Sequence, residues 1–184
     1  KCLLPYCENE INTPNIDGSF VTQFCLTIKF TEIIKEIVLL APAYNPNLIS
    51  NLSPHPLHFF VLINKEMNMK MLDDLLMIPT LNLNPLNEDG NTPLNEMLQH
   101  NLIDYAIKLI QDCRCDINHC NSKGESPLYF AVSIKNQPLI NALIKANAFV
   151  NLPNTNGMTP LYKAVENHDF EITELLLKSG ANPN

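Results

Sequence analysis

The chain has 184 residues, 46% of them hydrophobic and 17% charged, with a formal net charge of −7. That composition belongs to folded globular proteins with enough apolar side chains for a sizeable core. Arg114 is the single arginine and no basic run occurs, which argues against a nucleic-acid or anionic-membrane partner.

No apolar run reaches the ~18 residues that span a bilayer, and the start, KCLLPYCENE, has no hydrophobic signal core. Six scattered cysteines in a chain of this length read as the reduced thiols of a cytoplasmic protein.

From the N-terminus, INTPNIDG (11–18) aligns without a gap with VNLPNTNG (150–157), so residues 1–14 read as the end of a unit that recurs later. Residues 15–49 keep a turn, GSFVTQFC, an apolar second helix, IIKEIVLL, and the ending NPN; Phe20 or Val21 stands where later copies carry Pro. Residues 50–86 contain HPLH, then Leu57, Phe60 and Val61 at helical spacing, then Leu72, Leu75 and Leu76, and the ending LNLN. Residues 87–119 contain GNTPLNEML from Gly90, with Leu94, Met97 and Leu98 on one helical face and Ile107 and Ile110 on the next. Residues 120–152 contain GESPLYFAV from Gly124, with Leu128, Ala131 and Val132 at helical spacing, then Leu139, Ala142 and Leu143. Residues 153–184 contain GMTPLYKAV from Gly157, with Leu161, Ala164 and Val165 at helical spacing, then Ile172, Leu175 and Leu176.

Glycine fixes the period. Gly90, Gly124 and Gly157 stand 34 and 33 residues apart, and Gly18 lies 72 residues before Gly90, which is two further periods. A fixed period of this size marks stacked supersecondary units, none of which can bury its apolar side alone. In each unit glycine supplies the turn. Thr92, Ser126 and Thr159 are suited to cap a helix with their hydroxyls, and Pro93, Pro127 and Pro160 suit its first position, where no amide hydrogen is needed. Gly180 reads as a left-handed C-cap of the last helix, with Asn147 in its place one repeat earlier.

The pattern resembles the ankyrin repeat: a turn, Thr-Pro-Leu-His, a helix, a second helix ending Leu-Leu, then Gly-Ala-Asp-x-Asn. Residues 154–184 quote it closely, 121–151 and 87–118 match well, and the two earlier copies keep parts of it. The resemblance implies an all-α ankyrin-repeat solenoid of about five helix–turn–helix repeats with short β-hairpin or finger loops, forming one domain over residues 1–184. The chain starts mid-repeat on Lys1, without Met, and shows no polar capping repeat, so it is expected to be a piece of a longer protein.

The densest chemical cluster is DCRCDINHC, with Cys113, Cys115, His119 and Cys120. Cys-x-Cys is tighter than paired zinc ligands and no second cluster exists. Cys115 falls in register with Ala181, a small buried position, which suits cysteine as a small apolar residue. His58 holds the position of the histidine in Thr-Pro-Leu-His, where the resemblance implies a structural hydrogen bond; Asn95, Tyr129 and Tyr162 stand there in other copies. His100 and His168 are expected to face solvent near first-helix ends. No phosphate loop, serine elbow or metal motif occurs, so neither catalysis, cofactor nor metal is expected. A cysteine-dependent activity is the enzyme-class alternative.

The resemblance implies a non-catalytic module that binds a protein partner through its concave groove and finger tips, with a monomer favoured. Finger-tip candidates are Glu88, Asp89, Asn91, Ser122, Lys123, Glu125, Thr155, Asn156 and Met158. Groove candidates are Gln99, His100, Ser133, Ile134, Glu166 and Asn167. Leu62 and Ile63 take the matching places in the second copy, as an apolar anchor or as core. The irregular connectors LLAPAYNPN and LLMIPTLNLN resemble those of ankyrin proteins that intracellular bacteria deliver into host cells. That resemblance implies an alternative: the targeting or regulatory domain of a secreted effector, acting in the host cytoplasm, with any catalytic domain outside this chain.

Overall fold

The computed structural model describes residues 45–47, 54–62 and 69–183. The expected helices of residues 15–49, together with Gly18, Cys2, Cys7, Cys25 and the groove candidate Ile63, lie outside the described residues. The chain divides into two compact units, Lys1–Leu83 and Asn84–Asn184. No helix among the described residues is long and apolar enough to cross a membrane.

The first unit contains α1 (Pro56–Leu62) and α2 (Met69–Leu76). Leu57, Phe60 and Val61 of α1 and Leu72 and Leu75 of α2 are fully buried, as the helical spacing predicts; Met71 joins them, and Leu76 is only half-buried. Burying a side chain of this kind stabilises by about 1.5–3 kcal/mol before conformational entropy is charged.

The second unit holds three helix pairs: α3 (Pro93–Gln99) with α4 (Ile103–Ile110), α5 (Pro127–Ser133) with α6 (Gln137–Lys145), and α7 (Pro160–Glu166) with α8 (Phe170–Lys178). Each first helix packs on its own second helix, and successive copies meet through α3–α5, α5–α7 and α4–α6. The core of the unit is Leu94, Met97, Ala106, Leu109, Leu128, Ala131, Val132, Leu139, Leu143, Ala164 and Leu176.

The local signals act as read. Thr92, Ser126 and Thr159 cap α3, α5 and α7 by accepting from the amides of Asn95, Tyr129 and Tyr162. Gly180 and Asn147 are left-handed, with φ of 90° and 62°. Each donates to the carbonyl three residues back while its successor reaches five back, Ala181 N to Leu176 O and Ala148 N to Leu143 O, both at 3.0 Å. That pairing satisfies carbonyls which the helix end leaves open. The first helices end the same way on Asn101, Lys135 and His168, all left-handed without being glycine.

The second helices differ in their starts. Asn136 and Asp169 cap α6 and α8 through their side chains, whereas Leu102 begins α4 with no side-chain cap. The finger loops, expected as short hairpins, contain no strand among the described residues. Each is a turn closed by one backbone pair at its base, such as Asn87 N to Asn91 O at 3.0 Å, which is too short to build a ladder.

Candidate interaction surface

Asparagine builds the fingers. Asn87 Oδ1 accepts from the amides of Asp89 and Asn91 at 3.0 and 2.9 Å. Asn121 does the same for Lys123 and Glu125, and Asn154 for Asn156 and Met158. In all three the glycine amide closes onto the carbonyl of that asparagine, at 2.8–3.0 Å. Gly90, Gly124 and Gly157 share one backbone setting, with φ of 73°, 71° and 76°. The finger is thus a turn locked by the asparagine side chain onto backbone amides, and the side chains at its tip take no part in the lock.

The tips are exposed: Glu88 and Asp89 on the first, Ser122 and Lys123 on the second, Thr155 and Asn156 on the third. Thr155 also joins two fingers, its amide and hydroxyl both donating to Lys123 O at 3.3 and 3.0 Å.

The residue after each glycine is a correction to the expected surface. Asn91, placed at a tip by sequence, is buried at 4% exposure, and Glu125 and Met158 are half-buried. These residues stand at the finger base, where their carbonyls receive the opposing asparagine amides. Glu125 is further engaged by Asn121 Nδ2 at 2.9 Å.

Along the first-helix ends, Gln99, His100, Ile134 and Glu166 are exposed, and so is His168. Ser133 is half-buried, its hydroxyl donating to Phe130 O at 2.7 Å. Asn167 is committed to the stack: its Nδ2 donates to Val132 O at 3.1 Å and its carbonyl accepts from Lys135 Nζ at 3.0 Å. Glu166 is paired with Lys163 at 2.6 Å, an exposed contact of small energetic weight. In the first unit Leu62 is 64% exposed, so its apolar side chain is not core.

Two residues of the last copy are exposed where the sequence pattern expects an apolar helical face (Val165) and the structural-histidine position of the turn (Tyr162). Tyr162 and Val165 are 55% and 56% exposed, whereas Tyr129 and Val132, their counterparts one repeat earlier, are 3% and 0% exposed. The α5 pair lies at the α5–α7 interface, and the α7 pair lies on the outer side of the last copy. A groove of about 560 Å³ also runs between α4 and α6 on the second-helix side, lined by Ile107, Ile110, Pro138 and Ala142 among others.

The DCRCDINHC segment is occupied with structure. Arg114 forks onto Asp112, with Nη2 to Oδ2 at 2.6 Å and Nε to Oδ1 at 3.0 Å, and this holds the Asp112 carboxyl below its usual range. Cys115 is buried at the register of Ala148 and Ala181. Burial, helped by nearby Asp116 and Asp112, pushes its thiol up to about 12, which denies it a reactive thiolate at neutral pH. His119 bonds through Nε2 to Gly90 O at 3.0 Å, and its own carbonyl accepts from Asn95 Nδ2. This histidine therefore ties one repeat to the turn of the one before. Among the described residues no group of three His, Cys, Asp or Glu is placed to hold a metal ion.

A second asparagine series, one per repeat, bridges the loops beyond the second helices. Asn84 accepts from Asp116 N at 2.6 Å and donates to Arg114 O at 2.8 Å. Asn118 accepts from Phe149 N, and Asn151 pairs with Asn182 N and Gly180 O. Asn47 makes the same pair of bonds within the first unit, to Asn82 N and Thr80 O. Each amide reaches the loop about one period onward, so the series stitches repeat to repeat.

Residues 97–184 match the family model Ank_2, ankyrin repeats in three copies. Residues 97–184 are ankyrin repeats. Among solved structures, an ankyrin repeat domain of Acinetobacter baumannii superposes with a TM-score of 0.72 at 24% identity, covering 94% of this chain and 87% of that one. That likeness supports the all-α ankyrin-repeat fold. A search of curated proteins finds no match. Ankyrin repeats generally serve as protein–protein interaction modules and are typically non-catalytic scaffolds.

Proposed function

We propose that this chain is a non-catalytic module that binds a protein partner through the finger tips and first-helix ends of its second unit. The carrying observation is the three fingers with one backbone lock and three different tips: acidic Glu88 and Asp89, mixed Ser122 and Lys123, neutral Thr155 and Asn156. Identical geometry under unlike side chains is what recognition uses when packing leaves a position free. Asn91, Glu125 and Asn167 support this surface from beneath. Gln99, His100, Ile134 and Tyr162 extend it along the helices. The three described cysteines are free thiols, which supports a reducing compartment such as the cytoplasm.

The test is site-specific photo-crosslinking in the native cell. A crosslinker at Asp89, Ser122 or Asn156 is expected to capture one common partner, and one at Lys145 of α6 is expected not to. Reversing the charges of Glu88, Asp89 and Lys123 is expected to cut partner recovery at least tenfold with the circular dichroism spectrum unchanged. Equal capture at Lys145, or unchanged recovery by the reversed variant, would reject this face.

A further inference from the structure

The residue that precedes the helix-opening proline is Thr92, Ser126 or Thr159 in the second unit, and each caps its helix with a hydroxyl that does not titrate. In the first unit His55 stands at that position, before Pro56. It too acts as a cap: its carbonyl accepts the first helical bond from Phe59 N at 2.9 Å, and its Nδ1 faces Leu57 N at 3.3 Å. The Leu57 amide can only donate, so Nδ1 carries the lone pair and Nε2 carries the hydrogen. That hydrogen goes to Asn47 Oδ1 at 3.1 Å, the same oxygen that receives Asn82 N, while Asn47 Nδ2 holds Thr80 O. One neutral ring thus joins the start of α1 to the asparagine bracket that ties residues 45–47 to 80–82. The ring is buried, at 4% exposure.

We propose that His55 is an acid-sensitive latch of the first unit. Protonation of Nδ1 removes the acceptor for Leu57, sets one N–H against another at the helix start, and places a charge in a buried site beside Asn47. The hydroxyl-capped helices of the second unit have no equivalent response.

The groups around the ring agree. His58 lies one turn on along α1 with its ring edge-on, centroids 6.4 Å apart, and it is the one charge acting on His55 among the described residues. The facing segments, Asn45 and Asn47 on one side and Thr80 and Asn82 on the other, carry no titratable side chain. The described titratable groups of α2 are Lys70, Asp73 and Asp74, of which Asp74 is buried and bonded to Lys70 at 3.1 Å. Burial first, and the charge of His58 second, lower the His55 pKa from 6.5 to about 4. The folded value lies below the unfolded one, so the unfolded chain takes the proton first. The stabilisation is complete above pH 6.5 and is lost progressively as the pH falls toward 4.

The test uses the full chain with isotope-labelled histidine. Imidazole titration by NMR is run beside urea unfolding at pH 7.5 and 5.0, read at amides of Leu57 and Phe60 for the first unit and of Leu128 and Leu143 for the second. The folded-to-unfolded ratio of the first unit is expected to fall roughly 25-fold between those pH values, and that of the second much less. His55→Ser, which installs the cap of Ser126, is expected to abolish most of the first-unit loss. An acid loss that survives His55→Ser would overturn the latch. If that variant does not fold, the wild-type titration decides alone. A His55 pKa well below 6.5 that accompanies first-unit opening supports the proposal; a pKa near 6.5, or opening that leaves His55 neutral, overturns it.

Discussion

The copies at residues 120–152 and 153–184 are close in sequence and opposite in burial. PLYFAVS and PLYKAVE place Tyr and Val at matching helical positions. In the first, Tyr129 and Val132 are sealed beneath α7; in the second, Tyr162 and Val165 are more than half exposed. The helix, its cap and its proline are identical in kind, so the difference comes wholly from what lies on the far side. In a stack of this type an apolar residue is core or surface according to its neighbour copy, and its own sequence does not say which.

The largest effect that should sharpen this comparison is truncation of the two tyrosines. Tyr129→Ala is expected to cost about 3 kcal/mol, because it empties a buried aromatic site. Tyr162→Ala should change stability by less than about 0.5 kcal/mol. Urea midpoints of the two variants measure the gap, and equal losses would mean that the exposed copy is covered in solution.

Next come the finger glycines. A Cβ at Gly124 would meet Thr155 N at 2.8 Å, whereas Gly90 and Gly157 have open space. Gly124→Ala therefore adds a backbone clash to the left-handed strain that Gly157→Ala carries alone, with expected losses of about 3 and about 1 kcal/mol. Thermal melts would compare them. A similar loss in both would mean that the Thr155 finger gives way without cost.

The stitching asparagines fall in the middle. Asn118→Ala removes the acceptor of the solvent-exposed Phe149 amide and is expected to cost about 0.5–1.5 kcal/mol, the net worth of one hydrogen bond. Hydrogen exchange at Phe149 should accelerate with it, and unchanged protection there would show that the loop is held by other bonds.

The smallest effect is a gain. Leu102→Asp gives α4 the side-chain cap that α6 and α8 already have. Part of the capping energy is offset by the half-buried leucine that is lost, leaving an expected increase of about 0.5 kcal/mol. A drop in the urea midpoint would show that Leu102 matters more as core than as a helix start.

Much of the candidate surface was legible in sequence, but not its depth. Glu88, Asp89, Ser122, Lys123, Thr155 and Asn156 are exposed, as positions beside a turn glycine tend to be. Asn91, one residue after its glycine, is buried because the closing hydrogen bond of the turn draws that side of the loop into the stack. Asn167 reads as a groove residue from its place at a helix end, yet its amide is spent on Val132 of the previous copy. The turn asparagines Asn87, Asn121 and Asn154 could have been found from sequence, since each stands three residues before a repeat glycine.

By itself, the sequence determined the period, the helix caps, the prolines that open the first helices and the left-handed ends at Asn147 and Gly180. These are local matters, settled by backbone geometry and hydrogen bonding within a few residues. Only the tertiary structure decided that Tyr129 is core and Tyr162 surface, that Asn91 is a foundation and Asp89 a tip, and that the Cys115 thiol is buried. Burial depends on atoms thirty or more residues away along the chain, and no local pattern of residues carries that information.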